Sequence, residues 1–169
     1  DIKTIKNSEL TFLEGYLWDE GEPMEAFNEA IQHSNKTAMS LSDKFCVDRH
    51  KKGFLDLVQN KLDIIFANEQ EILELITAKS FDEVISFGKN LNKILVITRS
   101  DKGSIAISQN EVIECESQKN LKIVDLTGAG DLFASGFLHG QINKLSLKDS
   151  LHKGTEMASK VIQIIGARL

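Results

Sequence analysis

Apolar positions along this chain follow two rhythms, one of strands and one of helices. KLDIIFAN (Lys61 to Asn68) and KILVITRS (Lys93 to Ser100) are nearly continuous apolar runs of strand length. Each ends in polar residues, the pattern of a strand covered on both faces. LTFLEGYLW (Leu10 to Trp18) and KTAMSLS predict two further strands, and GSIAISQNEVIECES predicts a hairpin around Gln109 and Asn110. LKIVDLT predicts a last strand. Between these runs the period lengthens. An acidic turn at Asp19 and Glu20 leads into a helix with Pro23 in its first turn, running to about His33. DKFCVDRHKKGFLDLVQN has helical spacing and predicts burial of Phe45, Phe54, Leu57 and Val58. EQEILELITAK and SFDEVISFGKN predict two more helices, the second capped by Ser80 with Glu83 three residues on. Helices from about Ala129 to Gln141 and from about Ser146 to Ile165 close the chain. In the last, Leu147, Leu151, Gly154, Ala158, Val161 and Ile165 form a core stripe. Gly136, inside the preceding helix, implies close approach of a neighbour.

Strands alternating with helices require crossover connections, so the fold class is α/β: a mostly parallel sheet with helices on both faces. Ligands in such sheets bind beyond the carboxyl ends of the strands. That rule brings Asn68, Thr98 and the loop after Asp125 forward together.

Composition narrows the classes. The chain has 169 residues, 41% hydrophobic and 27% charged, as expected for one soluble domain or a substantial piece of one. A net charge of -5 and dispersed lysines exclude a nucleic-acid footprint. No apolar run approaches the roughly 18 residues of a membrane span and no leader pattern opens the chain, so a cytoplasmic location is expected. Cys46 and Cys115 are expected as reduced thiols. His33, His50, His139 and His152 lack metal-ligand spacing. Trp18 fits either a core or a cleft. The opening DIKTIKNSEL lacks an initiator Met and reads like the interior of a longer protein.

The most informative stretch is DLTGAGDLFASGF, Asp125 to Phe137. It is not a dinucleotide fingerprint, because Phe133 stands where the third glycine is needed. No Gly-Lys-Ser or Gly-Lys-Thr makes it a Walker loop. Phe133 also blocks a nucleophile elbow at Ser135. What remains is a tight turn opening a helix whose first turn carries Asp131. Gly128 and Gly130 let backbone N–H groups approach a ligand, and unpaired amides at a helix start attract phosphate. A carboxylate in that place would repel the same phosphate, so it suits proton transfer rather than binding: Asp131 as general base, with amides stabilising a transferred phosphoryl group. The bland alternative is a strand-to-helix turn with a first-turn acid.

DLTGAGDLFASGFL resembles the second signature of the ribokinase-like, or PfkB, family of carbohydrate and nucleoside kinases, with Leu126 where Thr or Pro is usual. NEQE (Asn68 to Glu71) resembles the family's N-x-x-E motif, TRSDKGS (Thr98 to Ser104) its T-x-G-x-x-G nucleotide loop with Ser100 in place of the first glycine, and GTEMASKVIQIIGAR its closing helix and Gly-Ala turn. FLEGYLWD and SLSDKFCVDRHK look like segments of the adenosine-kinase-like branch. The resemblance implies a ribokinase-like Rossmannoid sandwich. It implies that residues 1–169 are the carboxyl-terminal, nucleotide-binding and catalytic portion, without the amino-terminal half and lid.

By that resemblance Asp131 is the base, and Gly128, Ala129 and Gly130 form the anion hole. Asn68, Thr98, Ser100, Gly103, Gly154 and Ala158 contact ATP. Glu71 acts on Mg²⁺ through water, and Asp125 is a candidate ligand of a monovalent cation such as K⁺. The implied reaction transfers the γ-phosphoryl group of ATP to a hydroxymethyl group of a sugar or nucleoside; the portion alone is expected to be inactive. The alternative is a non-catalytic nucleotide-binding or interaction module. Half of the sheet's covering would then be missing, and an exposed apolar edge would pair, which leaves a homodimer open.

Overall fold

The computed structural model describes residues 1–18 and 21–169, so the expected acidic turn at Asp19 and Glu20 lies outside the described residues. The elements are α1 (Ile2–Asn7), β1 (Thr11–Glu14), α2 (Glu22–His33), β2 (Thr37–Ser40), α3 (Lys44–Asp56), β3 (Ile64–Asn68), α4 (Glu69–Ile76) and α5 (Phe81–Asn90). They continue with β4 (Ile94–Thr98), β5 (Ser104–Ile107), β6 (Val112–Cys115), α6 (Ala129–Ile142) and α7 (Leu147–Val161). One six-stranded sheet runs in the order β1-β2-β3-β4-β5-β6, mostly parallel, with helices on both sides. The chain divides into two units, Asp1–Ile97 with Ile107–Glu111, and Thr98–Ala106 with Val112–Leu169.

In the first unit β1, β2 and β3 pair in parallel, with Thr11 opposite Thr37 and Ala38 opposite Ile64. Register is pinned by Asp63, whose carboxylate accepts from the Thr37 amide at 2.7 Å and from its hydroxyl at 3.1 Å. Ile64, Ile65, Phe66 and Ala67 are all buried, which is why β3 reads as an unbroken apolar run. The expected strand from Leu10 to Trp18 is cut to Thr11–Glu14. A Cβ on Gly15 would stand 2.9 Å from the Ser40 and Leu41 carbonyl oxygens, and at this close approach the chain leaves the sheet in a 3₁₀ turn. Trp18 is core: it is 6% exposed and meets Phe27 edge-on, with centroids 5.2 Å apart.

Phe54, Leu57 and Val58 are buried as expected, but Phe45 is 79% exposed. The cause is helical phase. At about 3.6 residues per turn, the step from Phe45 to Phe54 spans a half-integral number of turns and puts the two on opposite faces, whereas Val47 shares the face of Phe54 and is fully buried. Helix α1 has no apolar stripe to announce it; the Asp1 carboxylate caps it by accepting from the Lys3 amide at 2.9 Å.

In the second unit α6 and α7 cross closely through glycine. A Cβ on Gly136 would lie 2.6 Å from the Lys153 carbonyl oxygen, and one on Gly154 would lie 2.8 Å from that of Phe133. Leu151 and Val161 of the predicted stripe are fully buried, but Ile165 is past the end of α7 and 86% exposed. LKIVDLT is not a strand. Its Val124 and Asp125 amides both donate to the Ile162 carbonyl, at 2.8 and 3.3 Å, so the segment ties to the end of α7 instead of to a sheet edge. Among the described residues, no helix is long and apolar enough to cross a membrane.

Candidate functional site

Helix α6 begins without a side-chain cap. Gly128 occupies the N-cap position in the left-handed conformation, φ 77 and ψ 3, which glycine adopts without steric cost. The Ala129 amide turns back to the Leu126 carbonyl at 3.2 Å, so of the three residues expected to form an anion hole one has its donor engaged. Among the described residues the amides of Gly128, Gly130 and Asp131 have no acceptor. Open donors at the positive end of a helix attract anions, and α6 leaves three of them at its start. The Asp131 side chain is exposed beside them. A Cβ built on Gly130 meets nothing within 4 Å, so the space in front of it is clear.

Ala129 and Gly130 border a cavity of about 810 Å³ within the second unit. Its apolar wall is Leu121, Ile123, Leu126, Phe133, Ala158 and Ile162. Ile123 and Leu126 are 64% and 65% exposed, large apolar surface facing an opening of the size that holds a small-molecule ligand. Thr98, Ser100 and Gly103 line the same cavity from the loop after β4. That loop bonds to itself: Arg99 N–H donates to the Gly103 carbonyl at 2.7 Å, and Gly103 N–H to the Ser100 carbonyl at 3.1 Å. Ser100 stands where the resembling family has glycine, and its φ of 52 is the left-handed geometry that explains that preference. At Gly103, φ 88, a Cβ would collide with the Cys115 carbonyl oxygen.

Ala158 is on the cavity wall, whereas Gly154 is not: it packs on Phe133 and serves the helix crossing. Phe133, Thr155, Lys119 and the irregular segment around Leu121 and Ile123 line the cavity although the sequence pattern did not point to them as site residues. Phe133 and Thr155 were within reach, each three residues from a chosen position on the same helix, Gly130 and Ala158, and so on the same face. The segment near Leu121 has no periodicity to read.

Asn68 and Glu71 belong to the first unit and form a reciprocal cap on α4. Glu71 N–H donates to Asn68 Oδ1 at 2.8 Å, and Asn68 N–H donates to Glu71 Oε2 at 2.9 Å. The Asn68 Nδ2 amide also donates to Glu71 Oε1 at 2.6 Å. Glu71 is only 5% exposed. Burial pushes its carboxyl above the usual range, opposed by the Asn68 backbone bond and reinforced by Asp43. Each carboxylate oxygen thus accepts one hydrogen bond from Asn68. Among the described residues, no group of three His, Cys, Asp or Glu side chains could hold a metal ion.

Asp125 is held from three directions. Its Oδ1 accepts from the Thr127 amide at 2.9 Å and hydroxyl at 2.7 Å, and its Oδ2 from the Gly166 amide at 2.9 Å. The Thr127 hydroxyl, then the Thr127 and Gly166 amides, hold its carboxyl down at about 2.

Across residues 2–169 the chain matches the pfkB family carbohydrate kinase group, and it belongs to that family. It is 37% identical to an adenosine kinase from Sinorhizobium meliloti, with a TM-score of 0.95 over 100% of this chain and 53% of that one. The cytidine kinase of Thermococcus kodakarensis is 30% identical over 67% of this chain and 41% of the relative. Adenosine kinase from Schistosoma mansoni, solved with 2-fluoroadenosine, shares the fold at 20% identity and a TM-score of 0.86, covering 99% of this chain and 54% of that one. The chain spans about half the length, or less, of these relatives.

Proposed function

We propose that this chain is the nucleotide-binding and catalytic portion of an ATP-dependent phosphotransferase acting on a hydroxymethyl group of a sugar or nucleoside. The observation that carries the reading is the start of α6, where open amides, an exposed carboxylate and a cavity edge coincide. The apolar wall from Leu121 to Ile162 suits a flat base such as adenine, sandwiched between the self-bonded loop at Thr98–Gly103 and the end of α7. The phosphates then lie toward the amides of Gly128, Gly130 and Asp131.

In the reaction the acceptor hydroxyl oxygen attacks the γ-phosphorus, its proton passes to the Asp131 carboxylate, and the bond to the β-phosphate oxygen breaks to release ADP. The amide donors neutralise charge on the moving phosphoryl group without reorganising. Magnesium bound with the nucleotide would neutralise phosphate charge, and by the family resemblance Asn68 and Glu71 would orient its water shell.

The test compares the complete gene product with its Asp131→Asn variant in an ADP-release assay across nucleosides and sugars. Turnover should fall by about 10²- to 10⁴-fold while ATP affinity stays nearly constant, since a base acts in the transition state. Retained turnover removes Asp131 from the mechanism. ATP binding with no turnover on any acceptor would favour a non-catalytic module instead.

A further inference from the structure

The chain closes on a turn, Gly166 and Ala167, that touches the start of α6 at two adjacent points. At the first, the Gly166 amide donates to Asp125 Oδ2 at 2.9 Å. At the second, Ala167 presses on Gly128: a Cβ built there would stand 2.7 Å from the Ala167 Cβ and 2.9 Å from its Cα. Asp125 meanwhile grips Thr127 through both its amide and its hydroxyl, at 2.9 and 2.7 Å. One carboxylate therefore fastens the residue before Gly128 and the residue before Ala167, and the two fastened strands of backbone bear on each other. Gly128 is left-handed and carries one of the open amides, so its orientation decides where that donor points.

We propose that Asp125 is a positioning residue, a clamp that sets the amide donors of α6 against the closing turn using N–H and O–H donors alone, so that turnover needs no monovalent cation. The donor set supports this. Oδ1 already receives two hydrogens and Oδ2 one, so most of the carboxylate's lone-pair positions face donors. A potassium ion near Oδ2 would face the Gly166 N–H, its own sign of charge, within hydrogen-bond distance of the shared oxygen. The catalytic part of this inference rests on the phosphotransferase reading; the clamp itself rests on geometry alone.

The experiment has two arms on the complete gene product. In the first, amide hydrogen exchange of the peptide spanning residues 162–169 is followed in wild type, Asp125→Asn and the shape-conserving Thr127→Val. Asparagine sets an N–H₂ against the Gly166 amide or loses the Thr127 donors, so exchange should quicken tenfold or more, and less in Thr127→Val. Unchanged exchange in both variants overturns the clamp whether or not the protein is a kinase. Slower wild-type exchange in potassium than in tetramethylammonium chloride overturns it too, by putting a cation in its place. In the second arm, wild-type turnover should be equal within twofold in potassium, sodium and tetramethylammonium salts. Asp125→Asn should lose kcat at unchanged ATP KM and not regain it with potassium. Several-fold activation of the wild type by potassium, or full kcat in the variant, overturns the positioning role. Absence of turnover in every enzyme, with quickened exchange in Asp125→Asn, would sink the kinase reading and leave the clamp standing.

Discussion

Two helices in this chain start in opposite ways. At α4, Asn68 and Glu71 exchange hydrogen bonds so that cap and first turn satisfy each other, and Glu71 is buried in the process. At α6, the N-cap is a glycine without a side chain, three amides face outward unmatched among the described residues, and the acid in the first turn is exposed. Both motifs place an acid in a helix's first turn, and only the hydrogen-bond inventory separates them. A start closed on itself contributes stability; a start left open gives some up and keeps its donors for a ligand.

The largest contrast should come from filling the open start. Gly130 has ordinary φ and nothing within 4 Å of a built Cβ, so Gly130→Ala should raise stability by about 0.4–1 kcal/mol. The same methyl stands where phosphate would approach, and turnover should drop on the order of 10²-fold. Denaturant midpoints and ADP release measured on one preparation would show both; equal losses in the two would make Gly130 a mere turn residue. Gly128→Ala attacks the fold itself. Its φ of 77 and the 2.7 Å approach of Ala167 predict a loss of roughly 1–3 kcal/mol, read as a lower urea midpoint at constant slope. Asn68→Ala removes the cap of the closed start and should cost about 1 kcal/mol, read as a lower urea midpoint.

The smallest effect is a pH dependence. Burial raises the Glu71 carboxyl, so its folded form holds a proton more tightly than the unfolded chain does. The resulting stability is present at low pH and lost as pH rises through the raised folded value. Glu71→Gln cannot ionise, so the melting temperature of wild type should fall more steeply from pH 4 toward neutrality than that of the variant. Parallel curves would mean Glu71 is not desolvated in solution.

Much of the molecule was legible because local and tertiary demands agree. The runs at Ile64–Asn68 and Ile94–Thr98 are buried strands, and Ser80 caps α5, with its hydroxyl accepting from the Glu83 amide. Legibility failed where partners, not patterns, decide. LKIVDLT has the composition of a strand, yet its amides go to Ile162. Phe45 is half a helical turn out of phase with Phe54, so the face that buries Val47 and Phe54 leaves it exposed. Of the candidate site, Thr98, Ser100, Gly103, Ala129, Gly130 and Ala158 converge on one cavity. Gly154 belongs to a helix crossing, a distinction that spacing along one helix cannot make, since both faces repeat alike.

That crossing has a mechanical consequence. Gly136 and Gly154 leave no slack between α6 and α7, and a Cβ on Gly140 would likewise strike Ser150, 2.9 Å from its Cα. A rod riveted at three places cannot slide along its neighbour or roll against it. The helix bearing Asp131 is therefore held in one register against α7.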